Sequence, residues 1–175
     1  LLTSTCLLRL YMQYQRIPLS ARSGNPMGRF IFALTDWLVL PLRRVLPAMG
    51  RWDTASLVGA FLVQLAEFAI LWALNGAEAS PGSVVLLAVF GVLRTALSGL
   101  TVLVLVYAIL SWVQTQSYLA DLLERLVQPP LSPIRRVLPL VGGVDLSPLA
   151  LLVLLQIAMI VLGSLQQTVL LALRV

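Results

Sequence analysis

PLRRVLPAMGRWDTASL, Pro41 to Leu57, returns 92 positions later as PIRRVLPLVGGVDLSPL, Pro133 to Leu149. Arg-Arg, Val-Leu-Pro, a Gly, an Asp and a Leu hold the same places in both stretches, and each runs into a long apolar segment. Self-similarity at a fixed period marks a chain built from copies of one unit. The reading that follows is two tandem repeats, residues 1–82 and 83–175.

Composition says where such a chain sits. Of its 175 residues 59% are hydrophobic and 11% charged, and the mean hydropathy is +0.96. A soluble domain of this size cannot hide so much apolar surface, so lipid must solvate part of it.

The charged set excludes much chemistry. All 12 basic residues are Arg, and there is no His. Arg forks onto phosphate or carboxylate and keeps its charge near lipid, although codon bias is the preferred reading of a Lys-free chain. Absence of His removes the commonest metal ligand and the usual general base. Cys6 is the single cysteine, so no intrachain disulfide or cysteine cluster forms, and it reads as an apolar filler. No Gly-rich phosphate loop, His-based triad or metal spacing occurs; no cofactor and no enzymatic activity are expected. The net charge of +5 points to anionic lipid rather than nucleic acid, because the arginines fall where membrane topology wants them.

Outward from the repeated stretch, four apolar segments appear. Leu1–Gln15 is shorter than the ~20 residues a crossing needs; with no initial Met, it reads as what remains of a first membrane helix. Thr54–Asn75, Ser83–Val113 and Ser147–Ala172 are long enough to cross. Two basic connections each hold a shorter helix. In the first, Asn25-Pro26 supplies cap and start. Phe30, Ile31, Leu34, Trp37 and Leu38 recur at helical spacing opposite Arg29 and Asp36, and Pro41 ends the run. In the second, Ser117 is the cap, and Leu119, Leu122, Leu123, Leu126 and Val127 oppose Asp121, Glu124 and Arg125. There Pro129, Pro130 and Pro133 stop the helix. The expected fold class is therefore an all-α integral membrane protein with two same-orientation repeats, four transmembrane helices and two interfacial amphipathic helices.

Arginine placement sets the expected topology. Arg16, Arg22, Arg29, Arg43, Arg44 and Arg51 lie in the first long connection and Arg125, Arg135 and Arg136 in the second; the short connection, Gly76–Gly82, carries Glu78 and no Arg. The positive-inside rule puts both long connections on the cytoplasmic side and both termini opposite. Copies with the same orientation are unlike the inverted repeats of many transporters.

The chain resembles the YggT (YlmG) family of small integral membrane proteins, on NPMGRF at Asn25–Phe30, PLRRVLPAMG at Pro41–Gly50, YAILSW at Tyr107–Trp112 and PIRRVLPLVGGVDLSPL at Pro133–Leu149. It departs from the doubled pattern where Arg51-Trp52 stands for Gly143-Val144 and Ala55-Ser56 for Ser147-Pro148. The resemblance implies four membrane helices, no established catalytic activity and the bacterial cytoplasmic (inner) membrane. It also implies links to osmotic tolerance and to envelope or division functions in bacteria. Plastid relatives are linked to membrane-complex assembly, including haem attachment to a cytochrome, and to nucleoid distribution.

Four constellations stand out. Arg43-Arg44 and Arg135-Arg136 sit in proline-bracketed turns, either to fork onto lipid phosphates or a partner's carboxylates, or simply to fix topology. Glu67 lies deep in the second apolar segment, where a carboxylate needs a partner. Arg94 is the expected partner and Arg9 the second choice, in a structural pair rather than a proton relay. Asp53 and Asp145 precede membrane helices as caps; a hard cation needs more oxygens than their surroundings offer. Gly91, Thr95 and Gly99 form a small-residue stripe for close helix approach.

The function these features favour is a non-enzymatic scaffold or assembly factor that binds another integral membrane protein, or its own copies as a homo-oligomer, together with anionic lipid. The alternative is an oligomeric channel or transporter subunit linked to osmotic adaptation.

Overall fold

The structure, a computed structural model, describes residues 1–17, 26–46, 53–76, 81–113, 118–138 and 145–172. Among these residues all regular structure is helical: α1 (Leu2–Tyr14), α2 (Pro26–Val45), α3 (Thr54–Leu74), α4 (Pro81–Val113), α5 (Tyr118–Val137) and α6 (Ser147–Ala172). Three of them, α3, α4 and α6, are long and apolar enough to cross a membrane. At 1.5 Å per residue the 33 residues of α4 span ~50 Å, well over a ~30 Å hydrocarbon layer. The expected caps Asn25 and Ser117, and Arg22, Arg51, Glu78 and Arg174, lie outside the described residues.

The chain forms two compact units, Leu1–Ala96 with Thr168–Val175, and Leu97–Gln167. In the first, α1, α2 and α3 pack on one another. Cys6, Val39, Ala55 and Ala60 are buried there, with Leu7, Leu38 and Leu42 against them. In the second, Val104 of α4, Val127 and Leu131 of α5, and Leu151 and Leu155 of α6 form the core.

Helix α1 ends in a left-handed turn. Arg16 has φ 56°, the Arg16 N–H reaches the Gln13 carbonyl, and the Ile17 N–H reaches that of Met12, both at 3.0 Å. Such a doubled cap ordinarily uses glycine at the positive-φ position. Ile17 beyond it is buried.

The prolines do not stop the short helices as expected. α2 continues through Pro41 to Val45, and α5 through Pro129, Pro130 and Pro133 to Val137. Each proline forfeits one helical hydrogen bond, yet the turn after it is held by tertiary contacts. Beyond Pro41, Leu42 lies 3.6 Å from where a Cβ on Gly59 would stand. Beyond Pro130, Leu131 is 1% exposed in the second core. Helix propensity is the weaker term where packing decides.

The faces also differ in part. α5 buries Leu122, Leu123, Leu126 and Val127 and exposes Asp121, Glu124 and Arg125, although Leu119 is exposed. In α2 the buried stripe is Ile31, Thr35 and Val39, while Phe30 and Trp37 point outward at 60% and 62% exposure. Helical spacing marks an apolar face without naming what covers it.

Only part of the small-residue stripe receives a helix. A Cβ on Gly91 would run into the Gln64 side-chain oxygen and stand 2.9 Å from Phe68 Cε2 of α3, whereas one on Gly99 would meet nothing within 4 Å. Thr95 donates to the Gly91 carbonyl at 2.8 Å. Gly91→Ala is expected to lower thermal stability in detergent by ~1 kcal/mol or more, with Gly99→Ala near neutral; equal melting shifts would contradict the α3–α4 packing.

Candidate functional site

The two arginine elbows are built alike. Each begins on the last turn of a short helix, and each ends just before an apolar one. Arg43 of α2 binds Asp53, with Nη2 donating to Oδ2 at 2.7 Å and Nε to Oδ1 at 3.4 Å. Arg135 of α5 binds Asp145, with Nε donating to Oδ2 at 2.8 Å. Both pairs join residues ten apart, and 92 positions separate equivalent members. The guanidinium at a helix C-terminus and the carboxylate before a helix N-terminus also sit where backbone dipoles favour them. Each clasp therefore closes one connection by charge.

The clasps differ in burial. The Asp53 side chain is 1% exposed, that of Asp145 28%. Asp53 Oδ2 also accepts from the Ser56 hydroxyl at 2.5 Å. It caps α3 through its backbone, the carbonyl accepting from the Ser56 and Leu57 N–H groups at 3.0 and 3.2 Å; its carboxylate bonds no backbone N–H there. Asp145 does cap with its side chain, Oδ1 accepting from the Ser147 N–H at 2.9 Å. Arg135 Nη2 adds a bond to the Tyr107 hydroxyl at 2.9 Å, tying the second elbow to α4.

Electrostatics favour the charged forms. Burial pushes Asp53 upward, but the hydrogen bonds from Arg43 and Ser56 and the nearby Arg43 and Arg9 charges outweigh it. Its carboxyl lies below the usual range. Asp145 is likewise lowered, burial being overcome by its Ser147 and Arg135 bonds. Arg135 is raised above its ordinary value: burial opposes this, and Tyr107 and Asp145 prevail.

The second arginine of each elbow is differently placed. Arg44 and Arg136 are exposed, and neither takes part in an ion pair among the described residues. Four arginines that look equivalent in sequence thus divide into two that are clasped and two without an ion pair among the described residues.

Arg9 is engaged elsewhere. It is 1% exposed, and its Nη1 donates to Thr35 Oγ1 and to Asp36 Oδ1 of α2, both at 2.7 Å. Its guanidinium lies 4.7 Å from the Phe32 ring centroid, adding a cation–π contact. Asp36, expected on the polar face, turns to the side of α2 because a buried guanidinium demands a counter-charge. The positions 92 residues on are Thr101, Glu124, Val127 and Gln128, so this cluster belongs to the first unit alone. Arg9 at mid-segment and an Asp on α2 were both readable; their pairing was not, since 27 residues separate them.

Glu67 and Arg94 are not brought together. Three ion pairs occur among the described residues, Arg9–Asp36, Arg43–Asp53 and Arg135–Asp145. Glu67 instead accepts a hydrogen bond from the Gln64 amide within its own helix, and both Glu67 and Arg94 are exposed. Nor is Arg9 available to Glu67, since Asp36 holds it. No group of three or more His, Cys, Asp or Glu gathers among the described residues.

The CCB3/YggT family model matches residues 1–74 and 86–166, two stretches whose last residues fall 92 positions apart. The protein called YggT of Escherichia coli strain K12 is 36% identical over 163 residues, 90% of this chain and 80% of that one. A Pseudomonas aeruginosa protein is 37% identical over 165 residues, 91% of this chain and 81% of its own length. One from Vibrio alginolyticus is 34% identical over 161 residues, 90% and 85% of the two chains. All three are described as uncharacterized. No solved structure matches.

Asp53→Asn is expected to destabilise the detergent-solubilised chain by ~2 kcal/mol or more, because it strands Arg43 and a buried site. Asp145→Asn, at a partly exposed pair, is expected to cost ~1 kcal/mol or less; thermal melts of both variants check the order. A lowered folded-state pKa contributes stability above the unfolded carboxyl value of ~3.9 and loses it as pH falls through the folded value. The melting temperature is therefore expected to stay level from pH 7 to 5 and to drop below about pH 4. Asp53→Asn should flatten that drop.

Proposed function

The chain belongs to the CCB3/YggT family, and we propose that it is a non-enzymatic membrane scaffold or assembly factor. In this reading it is made of two tandem like-facing units, each a membrane helix, an interfacial helix and a second membrane helix. The observation that carries it is the Arg–Asp clasp formed at the same spacing in both units. The 20-residue α2 and α5, whose ends are also 92 positions apart, give further support. α1 then corresponds to part of α4 and supplies the fourth crossing.

The spans are little buried by the chain itself: 17%, 11% and 17% of their most apolar windows for α3, α4 and α6. Their flanks are therefore open to lipid or to another membrane protein, as a docking platform requires. The clasped Arg43 and Arg135 shape the elbows, and the exposed Arg44 and Arg136 meet phosphate. The arginine distribution supports cytoplasmic placement of both elbows in the bacterial inner membrane.

Purification in mild detergent is expected to recover an integral membrane partner at fixed stoichiometry; recovery of this chain with lipid alone would refute the assembly role. Arg44→Gln with Arg136→Gln is expected to weaken retention of phosphatidylglycerol over phosphatidylcholine by ~1 kcal/mol per arginine at unchanged melting temperature. Unchanged lipid preference would refute the phosphate contact.

A further inference from the structure

Glu67 and Arg94 are the charged side chains of the three apolar spans. Each is exposed, and neither belongs to an ion pair among the described residues. Glu67 has the neutral Gln64 amide at one oxygen. A charge at mid-bilayer is costly, and such residues face protein or water rather than acyl chains.

Their depths match. Gly91 of α4 lies against Gln64 and Phe68 of α3, which fixes the register of the two helices. Glu67 is one residue from Phe68, and Arg94 is three from Gly91. For helices running in opposite directions, 1.5 Å per residue places the two charges within ~6 Å along the membrane normal. An arginine side chain spans that offset.

We propose that Glu67 and Arg94 form the contact between two copies of this chain. The Glu67 carboxylate of one copy accepts from the Arg94 guanidinium of the other, and the second pair forms reciprocally. A two-fold axis along the membrane normal conserves depth, so the offset that permits one pair permits both; the interface is isologous and closed. A second copy is the occupant because it offers one acid and one base at the required depth and leaves no charge over. The inference rests on α3 and α4 crossing the membrane and not on the scaffold role.

The test uses full-length chains carrying two different affinity tags, co-expressed and co-purified in mild detergent. Glu67→Arg alone and Arg94→Glu alone are each expected to lose at least about tenfold of wild-type self-association, corresponding to 1.4 kcal/mol. Co-expressed with each other, they should recover wild-type association, because every pair across the dimer is again opposite in sign. A pair closed inside one chain predicts no recovery on mixing, since each variant would keep its own like charges. No recovery, a monomeric wild type or undiminished association of the single variants overturns the proposal. Should a charge-reversed chain fail to insert, Glu67→Gln and Arg94→Gln serve instead: each should weaken self-association, the double variant no further than either single. Additive losses would overturn it. Copurification of a larger partner is scored separately, so failure of the dimer and of the scaffold role are distinguishable.

Discussion

One guanidinium held against one carboxylate, ten residues along the chain, governs each half of this protein. The Arg43–Asp53 and Arg135–Asp145 distances of 2.7 and 2.8 Å tie the last turn of each short helix to the residue just before the next one. Without such a restraint, α2 and α5 would meet the apolar helices through prolines and a glycine-bearing connection alone. A short, charge-assisted bond just before an apolar helix is well placed for this, because it is stronger than a neutral one and partly shielded from solvent.

The halves share this device and differ in what lies behind it. In the first, Arg9 is buried among Thr35, Asp36 and Phe32, and its charge also reaches Asp53. Acids and bases thus alternate through α1, α2 and the head of α3. In the second, Val127 stands at the place of Thr35 and is packed with Leu131, Leu151 and Leu155. Burial of apolar area replaces ion pairing there, and the nearby Tyr107 supplies a hydroxyl to the elbow. A polar network specifies one arrangement sharply and fails badly when one member is lost; an apolar core tolerates substitution.

Much of this was legible in the sequence. The period of 92 located both elbows, and hydrophobic length located α3, α4 and α6 to within a few residues. Helix ends at proline were misjudged, because Leu42 and Leu131 hold their turns through contacts distant in sequence. The functional pairing was hidden for a related reason. Arg43 and Asp53 were each singled out, one as a ligand for phosphate and the other as a cap, yet nothing in a linear pattern says that a cap and a ligand are partners. Recurrence of both at one spacing was the signal that could have revealed it. Periodicity grouped Phe30 and Trp37 with Ile31 on one apolar face, and it does not say what covers that face; Ile31 is buried by the protein and the two aromatics are not.

The left-handed residue after α1 has its own meaning. A chain needing nothing more than a place to stop that helix would do best with glycine, since a side chain at φ 56° carries strain of ~1 kcal/mol or more. This chain has Arg16 there, where the final carbonyls of α1 present their negative ends. Glycine at that point would relieve the backbone and give up a positive charge beside the negative end of the α1 dipole.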